Sequence, residues 1–123
     1  MGKTLILSDI HFCDNKGSVP SFEAIQPLWQ GCDALILNGD TAETLSSKLA
    51  KPSIQETELL VDAASKDGVQ TTLLGGNHDP DISNVDHVYF HNENVLVFHG
   101  HAAFKGVAPW SWRAPHIERK REE

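Results

Sequence analysis

The sequence predicts an α/β protein built on a largely parallel sheet, and three observations carry that prediction. Short apolar runs at residues 4–7, 34–37 and 69–74 alternate with segments of helical periodicity, as in strand-helix-strand units. Each run gives way at once to a polar loop supplied with Asp, Asn, His or Gly. In open parallel sheets such loops gather at the carboxyl edge of the strands, where these folds bind ligands. A chain of 123 residues with a 40% apolar and a 22% charged fraction suits one soluble globular domain rather than a disordered segment.

Charge and composition narrow the function classes. A formal net charge of −7 argues against general nucleic-acid binding through phosphate neutralisation, whereas local acidic clusters suit a cation site. No apolar run reaches membrane-spanning length and no signal-peptide core follows Lys3, so a cytoplasmic protein is expected. Cys13 and Cys32 are too few for a disulfide framework and form no Cys-x-x-Cys pair; both are expected to be reduced and structural.

Residues 4–7 read as the first strand, followed by Ser8-Asp9-Ile10-His11. Continued strand geometry would turn Asp9 and His11 to one side and Ile10 to the core. Ser21 is placed to cap a helix carrying Phe22, Ile25 and Trp29 on one face, with Pro27 as a kink or second start and Gly31 as its stop. Residues 34–37 form the second strand and lead into Asn38-Gly39-Asp40-Thr41. A short helix is expected over 44–50, then a longer one opened by Pro52-Ser53, with Thr57, Leu60, Val61 and Ala64 at helical spacing and Gly68 at its end. Residues 69–74 form the third strand, which runs into Gly75-Gly76-Asn77-His78-Asp79-Pro80. Val88-Tyr89-Phe90 and residues 95–98 read as a hairpin ending in His99-Gly100-His101, with His87 and His91 on the surface. Four basic residues lie in 113–123, a charged, solvated tail beyond a domain spanning 1–112.

Four strands thus end in potential ligands: Asp9 and His11, then Asp40, then Asn77 and His78, then His99 with His101 beside it. Carboxylate, imidazole and amide oxygen form a mixed N/O set that suits Mn, Fe, Zn or Co, and the lack of cysteine ligands argues against a structural zinc site. Two cations ~3.5–4 Å apart can lower the pKa of a shared water and clamp the attacking and leaving oxygens of a phosphoryl displacement. With a metal-bridging hydroxide as nucleophile no side-chain nucleophile is required. A nearby His is then free to protonate the leaving oxygen or stabilise charge. In agreement, neither cysteine has an Arg six positions on, and Asp9 lacks the second Asp of an aspartyl-phosphate enzyme.

Asp9-Ile10-His11, Gly39-Asp40, Gly76-Asn77-His78-Asp79 and His99-Gly100-His101, in that order, resemble the successive blocks of the calcineurin-like metallophosphoesterases. The resemblance implies a β-sandwich flanked by helices and a hydrolase acting on a small phosphomonoester, phosphodiester or pyrophosphate. It further implies two divalent metal ions, manganese first among them: Asp9 and His11 on the first, Asp40 bridging, Asn77 and His99 on the second. His78 would be the catalytic acid or transition-state stabiliser. The family's final Gly-His-x-His block has no counterpart after His101, so the fold is expected to lack its C-terminal strands, and His101 and His116 are the remaining candidates for the absent ligands. Apolar surface left open by such a loss could be covered in a homodimer. A non-catalytic metal-binding or interaction module of the same fold is the alternative.

Overall fold

The structure is a computed structural model and describes residues 2–17 and 19–104. Three parallel strands, β1 (Thr4–Leu7), β2 (Ala34–Asn38) and β3 (Gln70–Leu74), form one sheet in the order β1-β2-β3. In register, Ile6 pairs with Ile36 and Leu37 with Leu73. A second, antiparallel sheet is the hairpin β4 (His87–Phe90) and β5 (Val95–Phe98), with Val88 opposite Val97. The mixed α/β architecture, a parallel sheet with a second sheet and a helix, is the fold the family resemblance implies. The proposed domain limit at 112, the tail at 113–123 and His116 lie outside the described residues.

Alternation along β2 explains how the layers assemble. Leu35 and Leu37 are fully buried on one face, in a core with Phe12, Ile25, Trp29, Leu60 and Ala64. Ile36 points the other way and meets Leu74 and Val97, with Val88 and Phe90 of the hairpin packed around them. The central strand is therefore apolar on both sides, as a covered parallel strand must be. β1 is covered on one side only: Leu5 and Leu7 reach the first core, but Ile6 is 44% exposed.

The helix α1 (Ala50–Lys66) buries Ser53, Thr57, Leu60 and Ala64, a stripe at the expected period. It starts two residues before Pro52, which falls in the first turn where its missing N–H costs nothing. Gly68, at φ 77°, ends it: Gly68 N–H donates to the Ser65 carbonyl and Val69 N–H to that of Ala64, the paired bonds of a Schellman cap.

Two expectations are corrected. The segment from Ser21 forms no α-helix but two 3-10 turns, Phe22–Ala24 and Gln26–Trp29, because Pro27 lies at the start of the second and interrupts any continuous ladder. The 44–50 stretch is a series of turns rather than a helix; Ala50 N–H donates to the Ser46 carbonyl and only there does α1 begin. Trp29 Nε1 donates to Asp67 Oδ2 at 2.8 Å and fastens the 3-10 turns to the end of α1. Among the described residues no helix is long and apolar enough to cross a membrane.

Candidate metal centre

Past the ends of β1 and β2 the two loops run side by side, joined by backbone hydrogen bonds from Asp9 to Gly39, His11 to Asp40 and Phe12 to Thr41 at 2.9–3.1 Å. Asp9 and His11 do share a side of this loop, with Ile10 in the core, though not through strand continuation. β1 stops at Leu7, and Asp9 (φ 57°), His11 (φ 51°) and Asp40 (φ 54°) all adopt left-handed backbone. Asp and His tolerate that region better than most residues, yet it is sparsely populated, and such conformations gather at functional sites.

Four side chains from three strand ends converge here. His11 Nε2 lies 3.6 Å from Asp9 Oδ1 and 3.6 Å from Asp40 Oδ2; His99 Nε2 lies 3.4 Å and 3.6 Å from the same two oxygens. Asp9, His11 and Asp40 each bring one ligand atom within 4.8 Å of the others, a spacing and N/O donor set able to hold a divalent cation, and His99 Nε2 stands against the same two carboxylate oxygens. Asp40 is nearly buried at 4% side-chain exposure, whereas Asp9 is open at 54%. Burial would raise the Asp9 carboxyl, but the Ser8 hydroxyl and His99 outweigh it and hold its pKa below the usual carboxylate value.

His99 is seated from two sides by β2. Asn38 Nδ2 donates to the Phe98 carbonyl at 3.1 Å, fixing the backbone just before His99. Gly39, at φ 83°, leaves room for the ring: a Cβ there would stand 2.6 Å from it. Gly76 serves Asp40 likewise, since any Cβ at this position would collide with the Asp40 carboxylate and amide. Asn77 follows, half-buried, between Gly76 and His78.

Asp79, fully buried, holds these loops in place. Its Oδ1 accepts N–H bonds from Asp40 and Gly76, its Oδ2 from Thr41 and Ala42, at 2.8–3.1 Å. Burial raises its pKa to about 6, which these amides counter only in part. His78 N–H in turn donates to Asp40 Oδ1 at 2.8 Å, leaving Oδ2 for the convergence point.

Glu43 is the residue of this cluster that sequence reasoning missed. Buried at 3% exposure, it receives His11 Nδ1 on one oxygen at 2.6 Å and His78 Nδ1 on the other at 2.8 Å. A carboxylate only accepts, so each ring carries its hydrogen on the Nδ1 that faces Glu43. Burial would raise Glu43, but the bonds from His11 and His78 outweigh it and bring its pKa to about 2. His11 is raised, chiefly by that bond to Glu43. The only signal in the sequence was an acidic residue three positions after Asp40 in the loop between β2 and α1.

A groove of about 610 Å³ opens between α1 and the loop after β3, lined by Thr44, Ile54, Glu58, Val61, Leu73 and Asp81 among others. None of the convergent ligand residues lines it.

Fold and site together define an α/β domain with a donor set able to hold a metal at the carboxyl edge of a parallel sheet. The chain belongs to the calcineurin-like phosphoesterases, whose family model matches residues 2–116. No curated protein matches it, and no solved structure does. The family is one of metal-dependent phosphoesterases, and the chain carries His, Asp and Glu groups able to hold a metal: Asp9, His11 and Asp40, and His11, Glu43 and His78.

Proposed function

We propose that this protein hydrolyses a phosphate ester or anhydride, a phosphomonoester, phosphodiester or pyrophosphate, with divalent ions held by Asp9, His11, Asp40, Asn77 and His99. The observation that carries the reading is the meeting of two carboxylate oxygens and two imidazole nitrogens at 3.4–3.6 Å, beside a His78 backed by Glu43. Two ions are proposed, manganese first, with iron, zinc or cobalt suited to the same donors. When bound, they supply neutralising charge at the phosphoryl oxygens and a water of lowered pKa.

The protein's own groups do the rest. Asp40 offers Oδ2 to the ions while Oδ1 is committed to the His78 amide. His78, with its Nδ1 hydrogen given to Glu43, presents Nε2 as the atom that exchanges a proton with the leaving oxygen. Exposed Leu96, Phe98 and Phe104 support association of two copies as part of the same proposal.

The test is manganese-dependent hydrolysis of bis(p-nitrophenyl) phosphate by the purified chain. His78→Ala is expected to lower turnover ~100-fold or more with metal content unchanged, the usual scale for a lost general acid. Asp40→Asn is expected to lose metal; unchanged stoichiometry in that variant would sink the assignment. Metal binding without turnover in the folded wild type would favour the non-catalytic binding module.

A further inference from the structure

We propose that His101 is a positioning residue for His99, accepting the Nδ1 hydrogen of His99 so that Nε2 keeps a free lone pair aimed at the Asp9 and Asp40 oxygens. The proposal rests on the reading above in that it takes His99 Nε2 as a ligating atom.

His101 lies two residues past His99, on a 3-10 turn over Gly100–Ala103 that begins as soon as β5 ends. The turn brings the side chain back behind its neighbour: the two Nδ1 atoms stand 2.9 Å apart, with the rings tilted 49°. Both residues are 7% exposed, so their contact is largely shut off from water.

Two neutral imidazoles can approach Nδ1 to Nδ1 at that distance only with one hydrogen between them, one atom donating and the other accepting. Only one of the two arrangements suits ion binding. If His101 donates, the hydrogen of His99 sits on Nε2 and blocks the face toward Asp9 and Asp40. If His99 donates, Nε2 is free, and the ring is held by a partner on its far side, as ligating histidines ordinarily are. His11 solves the same problem with Glu43 on its Nδ1. For His99 the partner is a second histidine. Thus His101 meets the Nδ1 edge of the His99 ring, while Nε2 of that ring faces the Asp9 and Asp40 oxygens.

The first experiment needs no variant. In long-range proton-nitrogen spectra of the zinc-loaded wild-type chain, His99 is expected to carry its hydrogen on Nδ1 and His101 to carry none on its own Nδ1. A hydrogen on His101 Nδ1 in that state would overturn the proposal. The second experiment is calorimetric titration with manganese of His101→Leu, His101→Gln and His99→Ala, each checked for folding by circular dichroism. His101→Leu is expected to weaken affinity ~10–100-fold, the range for loss of such a supporting partner. His101→Gln, which restores an acceptor oxygen, should recover most of that loss. A His101→Leu variant that folds and binds as wild type does would overturn the assignment to His101 while leaving the centre intact. If His99→Ala also binds as wild type, His99 is no ligand, and the reading beneath this one fails with it.

Discussion

Asp9, His11 and Asp40 sit at positive φ, and the bonds around them show why the chain tolerates it. Each lies in a loop pinned by backbone bonds to its neighbour or by the buried Asp79 carboxylate. These residues could be singled out as candidates in the sequence because ligand chemistry favours a few residue types. Glu43 could not, since a carboxylate behind two histidines looks like any acidic loop residue until the fold brings His11 and His78 to it. Its pairing fixes a pH dependence. Glu43 has a folded pKa near 2 against 4.5 in the unfolded chain, so its charge contributes stability that is present above pH 4.5 and lost as pH falls toward 2. His11 has a folded value raised above 6.5, so its charge contributes fully below pH 6.5 and less as pH climbs through the raised value. The stability difference between the metal-free wild type and Glu43→Gln is therefore expected to peak between about pH 4.5 and 6.5. Urea unfolding across pH 2–9 checks it, and a difference that does not vary with pH would refute the charge pairing.

At the scale of elements, α1 does more than cover the sheet. Its Ser53 hydroxyl, fully buried in the first turn, accepts the Glu43 N–H at 2.9 Å and donates to the Ala50 carbonyl at 3.1 Å. The helix thereby holds the loop that carries Glu43. Ser53→Ala leaves a buried amide without its acceptor, and a loss of about 1–3 kcal/mol in unfolding free energy is expected. Turnover should fall as well, while Ser65→Ala on the exposed end of the helix should change neither. The stripe of α1 was readable from its period; the polar contact at its head was not, because a serine beside Pro52 reads only as part of a helix start. The same limit applies to the segment after Ser21, where an apolar period suggested a helix and Pro27 divided it into two turns.

For the whole molecule, the weight falls on the junction between the two sheets. Among the described residues Ile36, Leu74 and Val97 form its buried centre, helped by Val88, Phe90 and the bond from Asn38 to Phe98, whereas a much larger cluster packs beneath α1. His99 reaches Asp9 and Asp40 only through that smaller junction. Ile36→Ala and Leu60→Ala each delete a buried side chain at a cost of about 2–5 kcal/mol. Ile36→Ala is expected to weaken manganese binding more than Leu60→Ala does at equal loss of stability. Calorimetric titration below the melting range measures this, and equal effects would mean that the hairpin does not carry the site. The alternation of strands and helix and the order of the candidate ligand blocks can be read along the chain, because periodicity and metal-ligand chemistry are local properties. That Glu43 joins His11 to His78, that Asp79 gathers four amides, and that His101 stands behind His99 emerges from the folded arrangement. Those contacts depend on how separate loops meet in space, and nothing in local residue order records the distance between them.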